Sequence, residues 1–204
     1  MKNLIFALLF LLSFNTVLEA QYREHLVGIR TGINISGMDS RPDLEYESIT
    51  TTKNYSFVYT YYHGLWGMIN NFGFQTGIST IEQGFKRDDQ ETRFQVIQIP
   101  IVSQFHIDFW RMRFLINAGC FGGYRSSKTT SDGSGFDEHD RRVDYGFIFG
   151  SGLAFIVKPI EIHLEGNYHY SLSYSFDPKK FSQTDYLFTY PKQLIFSVTV
   201  NVKL

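Results

Sequence analysis

Apolar and polar residues alternate along most of this chain. From Gln193 to Leu204 the sequence reads QLIFSVTVNVKL, with Phe196, Val198, Val200, Val202 and Leu204 on one face and Ser197, Thr199, Asn201 and Lys203 on the other. Side chains of a strand point to opposite faces in turn, so this segment has one apolar wall and one polar wall. The same period of two predicts eight strands, over 26–36, 54–64, 72–82, 93–107, 112–125, 142–157, 160–173 and 191–204. Their apolar faces carry Val27, Ile29, Ile33 and Ile35; Tyr55, Phe57, Tyr59 and Tyr61; Phe72, Phe74 and Ile78; and Ile97, Ile99, Ile101, Phe105 and Ile107. They continue with Phe114, Ile116 and Cys120; Tyr145, Phe147, Phe149, Leu153 and Phe155; and Ile160, Ile162, Leu164, Tyr168 and Tyr170. Each segment is long enough for a tilted strand to cross a bilayer, which takes about 9–11 residues.

The opposite faces are polar. They hold Arg30, Gln98, Gln104, His106, Arg113, Asn117, Arg125, Glu161, His163, Glu165, Asn167 and His169. Glycines thin the same face: Gly28, Gly32, Gly73, Gly77, Gly119, Gly123, Gly146, Gly150, Gly152 and Gly166. Near Val96 the alternation slips, which predicts a bulge. Pro100 falls mid-strand without a ladder donor, which predicts a bulge or a locally unpaired site.

The connections alternate in length. Residues 37–53, 83–92, 126–141 and 174–190 are long and polar, whereas 65–71, 108–111 and 158–159 are short. Long extracellular loops and short periplasmic turns are the layout of outer-membrane barrels. The expected fold is therefore all-β: an eight-stranded antiparallel up-and-down transmembrane β-barrel with both termini periplasmic. Closure would leave no backbone edge unpaired in lipid. An eight-stranded barrel is only wide enough for side chains to fill it. The inner face therefore predicts a plug of Arg–Glu and Gln–Asn contacts, not a wide pore.

Composition narrows the class. Lys2 precedes the apolar run Leu4–Leu12, which is the pattern of a secretory signal. Residues 1–20 are read as a cleaved signal peptide and 21–204 as one barrel domain. Mean hydropathy is −0.16, which argues against a helical membrane protein. Aromatics still make up 17% of the chain, as expected when girdles mark both membrane interfaces. A net charge of −1 gives no reason to expect a nucleic-acid partner. Cys120 is the single cysteine, so no intramolecular disulfide forms, and its apolar strand predicts an inert thiol.

Several segments, taken in order, resemble the PorT-like outer-membrane β-barrel family, found mainly in Bacteroidota. They are GIRTGINISGM at 28–38, FQTGISTIEQGFK at 74–86, FQVIQIPIVSQF at 94–105, INAGCFGGYRSSK at 116–128, YGFIFGSGLAF at 145–155 and IHLEGNYHYSLS at 162–173. The resemblance covers essentially the whole mature chain. It implies an outer-membrane barrel linked to protein secretion, with no catalytic residues to carry over.

One enzyme-like feature stands apart. His169, Ser171 and Glu165 share a face of one strand and resemble part of the His-x-Ser arrangement of outer-membrane lipid A deacylases. Such a set is an acyl-transfer constellation. However, Leu172 follows where that motif has Asn, and Gln183 stands where it has its Glu. The face is also the polar one. The loop 131–142 (SDGSGFDEHDRR) is acidic but matches no calcium-loop spacing. Lys86, Arg87, Arg125 and Lys128 are candidates to pair with lipopolysaccharide phosphates at the outer rim. Tyr55, Tyr145, Tyr168, Tyr170 and Tyr174 read as girdle anchors. Asn34 and Asn54 head formal glycosylation sequons without meaning in a bacterium.

The sequence reading is thus a non-enzymatic outer-membrane barrel, structural or secretion-associated, without catalytic, cofactor or metal residues. Its expected partners are outer-membrane lipid, lipopolysaccharide, and other outer-membrane or secretion-system proteins. The alternatives are a deacylase-like enzyme and a soluble lipocalin-like carrier, which would turn the apolar faces inward.

Overall fold

The computed structural model describes residues 23–65, 69–179 and 186–204; the signal-peptide segment lies outside them. The described chain forms one antiparallel sheet of nine strands. They are β1 (Arg23–Arg41), β2 (Glu47–Thr51), β3 (Asn54–Leu65), β4 (Ile69–Arg87), β5 (Gln90–Phe109), β6 (Met112–Thr130), β7 (Val143–Val157), β8 (Ile160–Ser171) and β9 (Phe188–Lys203). Neighbours in sequence pair in turn from β3 to β9, and β1 pairs with both β3 and β9. The β1–β9 ladder runs from Leu26↔Lys203 to Arg41↔Phe188. It closes β1 and β3 through β9 into a ring of eight strands.

The ninth strand arises from a break in the second wall element. β1 pairs with β3 as far as Thr31↔Tyr55, then with β2 from Asn34↔Thr51. Gly32 and Ile33 on β1 thus face Thr52, Lys53 and Asn54, so the β2–β3 side carries one extra residue, as in a bulge. β2 also reaches β4 at Glu47↔Lys86. The expected long loop over 37–53 is therefore corrected to a continuation of β1, a short connection and a strand.

The ring is apolar outside and polar inside. Ile29 is 70% exposed, whereas Asn34, five residues along the same strand, is fully buried. The predicted apolar sets of all eight segments face outward, and Arg113, Arg125, Gln98, Gln104, His106, Glu161, His163, Glu165, Asn167 and His169 are buried within. This sidedness rules out the carrier build with an apolar interior. One predicted inward residue is misplaced. Gly166 faces outward, where an added Cβ would lie 3.4 Å from the Phe196 ring. Parity explains the error, because Gly166 shares its face with Leu164 and Tyr168.

The alternation inverts near one end. On β5 the outward residues from Ile97 to Ile107 are apolar except Ser103, but Gln95, Arg93 and Glu91 follow. Over the same stretch the inward residues Val96 and Phe94 are apolar and buried. The wall thus leaves the apolar band near Ile97 and continues as a soluble sheet, polar outside and apolar inside. The slip predicted near Val96 has this cause, since β5 keeps its parity throughout. A register shift does occur between Gln95 and Val96. The extra residue is Ser126 on β6, which turns Lys128 and Thr130 inward.

The segment 83–92 is corrected as well. β4 and β5 extend to a tight hairpin at Asp88 and Asp89, with φ of 49° and 65°. Two left-handed residues make the turn whose twist matches the flanking strands, and Asp tolerates that region. At Pro100 the β4–β5 ladder lapses between Thr76↔Ile101 and Ser79↔Gln98 without changing register. The missing donor leaves a local gap, and Thr76 Oγ1 donates to the Pro100 carbonyl at 2.9 Å. Strand closure also demands glycine: a Cβ on Gly146 would lie 2.0 Å from the Tyr170 carbonyl oxygen.

Candidate functional site

The chemistry-bearing side chains gather in the lumen, in three tiers. Near the short-turn end Arg113 donates from Nη2 to Glu24 Oε2 at 2.8 Å. It also pairs with Asp108 at 3.1 Å and Glu161 at 3.4 Å. Its guanidinium lies 4.9 Å over the Tyr62 ring, a cation–π contact. Lys203 Nζ reaches the second oxygen of Glu24 at 2.6 Å, and His106 Nδ1 meets Asp108 at 2.7 Å. A single guanidinium thereby bridges three carboxylates supplied by β1, β5 and β8, with Lys203 as a second cation at Glu24.

At the waist Arg30 pairs with Glu165 and donates to Gln75 Oε1 at 2.9 Å and Thr199 Oγ1 at 2.8 Å. Glu165 Oε1 accepts from Asn117 Nδ2 at 2.9 Å. Asn117 in turn accepts from Gln104 Nε2 at 2.9 Å, and Tyr62 donates to Gln104. The upper tier centres on Arg125, paired with Asp144 at 3.1 Å and donating to the Arg141 carbonyl at 2.8 Å. Ser173 donates to Asp144 at 2.8 Å, Gln193 to Gln83 at 2.7 Å and Asn34 to Gln193 at 2.8 Å. Between waist and upper tier the free space is only about 20 Å³, room for one water molecule. Buried charges need such pairing, because an unpaired one is costly.

The long-loop end carries a lid. Met38, Phe85, Phe94, Val96 and Phe176 form an apolar cluster, with Tyr46 and Phe136 packed against it. Phe176 and Phe136 come from the connections after β8 and β6. These two connections bind each other through the Asp140↔Phe176 bridge and the hydrogen bond from Asp177 N to the His139 carbonyl at 2.7 Å. At the edge of the lid, burial raises the Tyr46 phenol above its ordinary value against the opposing Arg87 charge. Hydrogen bonds from Ser134 hold Asp132 below the usual carboxylate range.

The enzyme-like set does not assemble. His169, Ser171 and Glu165 all face the lumen, as expected, and are buried. Glu165 is engaged by Arg30, Gln104 and Asn117. His169 stacks on Phe121 at 5.4 Å. Ser171 Oγ and His169 Nδ1 have no hydrogen-bond partner among the described residues.

The rim cations also differ from expectation. Arg125 is wholly buried, and Lys128 is turned inward to Asp140 at 2.7 Å. Lys86 and Arg87 stay near the surface, paired with Asp89 at 3.0 Å and Asp88 at 3.2 Å. In the acidic loop, Asp137 and Asp140 serve local turns: Asp137 Oδ1 accepts from His139 N at 2.8 Å and Asp140 Oδ2 from Asp137 N at 3.0 Å. Among the described residues no three His, Cys, Asp or Glu side chains converge on a metal position. Tyr55, Tyr145 and Tyr168 project outward. Tyr170 stacks with Tyr190 at 6.3 Å, and Tyr174 packs edge-on against the same ring at 5.1 Å. Cys120 is exposed on the outer face, and Asn34 and Asn54 are buried. Sequence reading missed the lid, the Asp144 counter-charge of Arg125 and the role of Glu24. The apolar inward residues Phe94 and Val96 on β5, Ile81 and Phe85 on β4 and Met38 on β1 were the available signals for the lid.

Comparison with known proteins agrees with this geometry. The chain superposes on the crystal structure of Neisserial surface protein A with a TM-score of 0.52 at 11% identity, over 87% of this chain and 97% of that one. That likeness shows a shared fold. The outer membrane protein OprG from Pseudomonas aeruginosa (TM-score 0.44, 7% identity, 89% and 96% covered) and the outer membrane enzyme PagL (0.35, 10%, 84% and 98%) superpose too loosely to support an argument. No curated protein matches the chain. A family described as "Outer membrane protein beta-barrel domain" matches residues 19–177, and with its closed, apolar-walled ring the chain belongs to that family of the outer membrane.

Proposed function

We propose that this chain is a non-enzymatic outer-membrane barrel of PorT type that serves a structural or secretion-associated role and conducts no solute. The observation that carries the reading is the lumen itself. Between the waist and the upper tier the side chains leave only about 20 Å³ free, and an apolar cluster covers one end. A solute path would require breaking buried ion pairs, each costly to separate. The long connections then face the exterior, where they offer contacts to lipopolysaccharide and to partner proteins. Both termini lie on the periplasmic side. A non-enzymatic role is favoured because Glu165 is held by Arg30 and Asn117 and so is not available to orient His169.

Purified protein in planar bilayers tests the reading directly. The expected trace has no stable conductance steps at any applied voltage. Reproducible single-channel openings would refute the filled lumen. In cells, loss of the protein should deplete surface-exposed exported proteins while antibiotic uptake stays unchanged. Lipid A mass spectra should be identical between wild type and Ser171→Ala, and a deacylation difference would revive the enzyme reading.

A further inference from the structure

Arg141 and Arg142 stand where the apolar wall ends, although neither was among the rim cations expected from sequence. On the outer face Ile97 of β5 is opposite Tyr124 of β6, and Tyr124 is opposite Val143 of β7. Ile97 is the last apolar outward residue of β5, so Val143 marks the edge of the band and the two arginines come directly beyond it. One strand further, Leu172 N donates to the Tyr145 carbonyl at 2.8 Å, which sets Leu172 level with Tyr145. A groove of about 380 Å³ opens on this outer face, with Arg141, Arg142, Val143, Tyr145, Leu172 and Tyr174 among its lining residues. Val143, Tyr145 and Leu172 are exposed and give it an apolar membrane end. The two exposed guanidiniums give it a cationic outer end.

These guanidiniums are held by their faces. Arg141 lies 5.7 Å over the Tyr174 ring and Arg142 4.5 Å over the Phe136 ring. A guanidinium stacked in this way keeps its N–H edge for an anion. Arg142 uses one donor on the Tyr124 hydroxyl at 3.1 Å, and neither arginine is ion-paired among the described residues. Other cations at this end differ. Lys86 pairs with Asp89, Arg87 with Asp88, Lys128 with Asp140 and Lys192 with Asp39. Two uncompensated guanidiniums side by side match a phosphate, whose oxygens accept paired N–H bonds from arginine. A soluble phosphate would leave the apolar end of the groove unused. A lipid carries both parts, a phosphate at the interface and an acyl chain below it.

We propose that this groove binds a lipid A phosphate of the outer leaflet between Arg141 and Arg142, with the first acyl segment against Val143, Tyr145 and Leu172. The inference rests on the reading that the long connections face the exterior. Barrels in phosphatidylcholine nanodiscs would be titrated with lipid A, with the same lipid A dephosphorylated, and with phosphatidylglycerol, and bound lipid read by native mass spectrometry. Lipid A should bind, and Arg141→Gln/Arg142→Gln should weaken its binding at least about tenfold, as loss of charge-assisted bonds does. Dephosphorylated lipid A should bind the wild type as weakly as lipid A binds that variant. Lys86→Gln/Arg87→Gln removes two charges from the same end and should leave binding unchanged. Both arginine side chains are exposed, so their replacement keeps the fold, which the gel shift checks. Equal binding by the arginine variant, by dephosphorylated lipid A or by phosphatidylglycerol would overturn the proposal. A separate arm tests the orientation. In a Cys120→Ser background, Gly135→Cys, at a position with nothing packed against it, should react with a membrane-impermeant maleimide on intact cells. No labelling there would refute the exterior placement, and with it the outer-leaflet lipid, even where lipid A binds in nanodiscs.

Discussion

Glu165 shows how a single residue is set by its surroundings. It sits on β8, yet it meets Arg30 of β1, Gln104 of β5 and Asn117 of β6. Replacing it with Leu leaves the Arg30 charge buried without a counter-ion, a loss of about 3–5 kcal/mol. Urea unfolding in detergent micelles should register that loss. The double variant Arg30→Met/Glu165→Leu should regain most of it, because removing both charges removes the desolvation penalty as well. A double variant as unstable as the single one would mean the pair is not the source of the effect. The inward position of each of these residues was legible from parity. Their pairing was not, because the partners lie 13 to 135 residues apart in the chain.

At the scale of the element, β6 is the informative strand. Below its bulge the odd residues Arg113, Leu115, Asn117 and Arg125 are buried, and above it the even residue Thr130 takes their place. Deleting Ser126 removes the extra residue, and Arg125, Ser127 and Lys128 then oppose Val96, Gln95 and Phe94 in unbroken alternation, so the facing beyond residue 125 is kept. In a Cys120→Ser background, Lys128→Cys should be shielded from a membrane-impermeant maleimide both with and without Ser126. Ready labelling in the deletion alone would show that β6 slips by one residue against β5 when the bulge is removed. Close strand approach is as demanding at Gly146. Its Cβ would meet the Tyr170 carbonyl oxygen at 2.0 Å, so Gly146→Val should destabilise by about 1–3 kcal/mol, as overpacking does, and lower the temperature at which the gel mobility shifts. The ends of β4 and β5 were misread from sequence for a related reason. Beyond Ile97 the polar and apolar faces exchange, and a polar outer face there resembles a loop when the expected strand is lipid-facing.

For the whole molecule, closure and the lid are separable. The ring is held by backbone ladders all the way round, including β1–β9, while the lid rests on side-chain packing and one short backbone bridge outside the apolar band. Unboiled protein from the outer-membrane fraction should therefore migrate differently from boiled protein in SDS gels. Phe94→Ala, which empties a fully packed position of the lid, should keep that shift. It should, however, loosen the connection at Arg141 and Arg142, whose side chains are already exposed, and so speed its cleavage by trypsin on intact cells. Loss of the gel shift in the variant would instead tie barrel closure to the lid.

The sequence by itself determined the strands, their facing and the membrane as solvent. These follow from a period of two repeated over eight segments, a local property that each strand carries without knowledge of its neighbours. Phe196 through Leu204 declare an outward wall whatever strand lies beside them. Only the tertiary structure decided which inward charges meet, that β2 fills a break beside β3, that Gly166 faces Phe196, and that aromatic residues from distant connections seal one end. Those outcomes depend on register and on the meeting of segments far apart in the chain, and alternation along one strand contains neither.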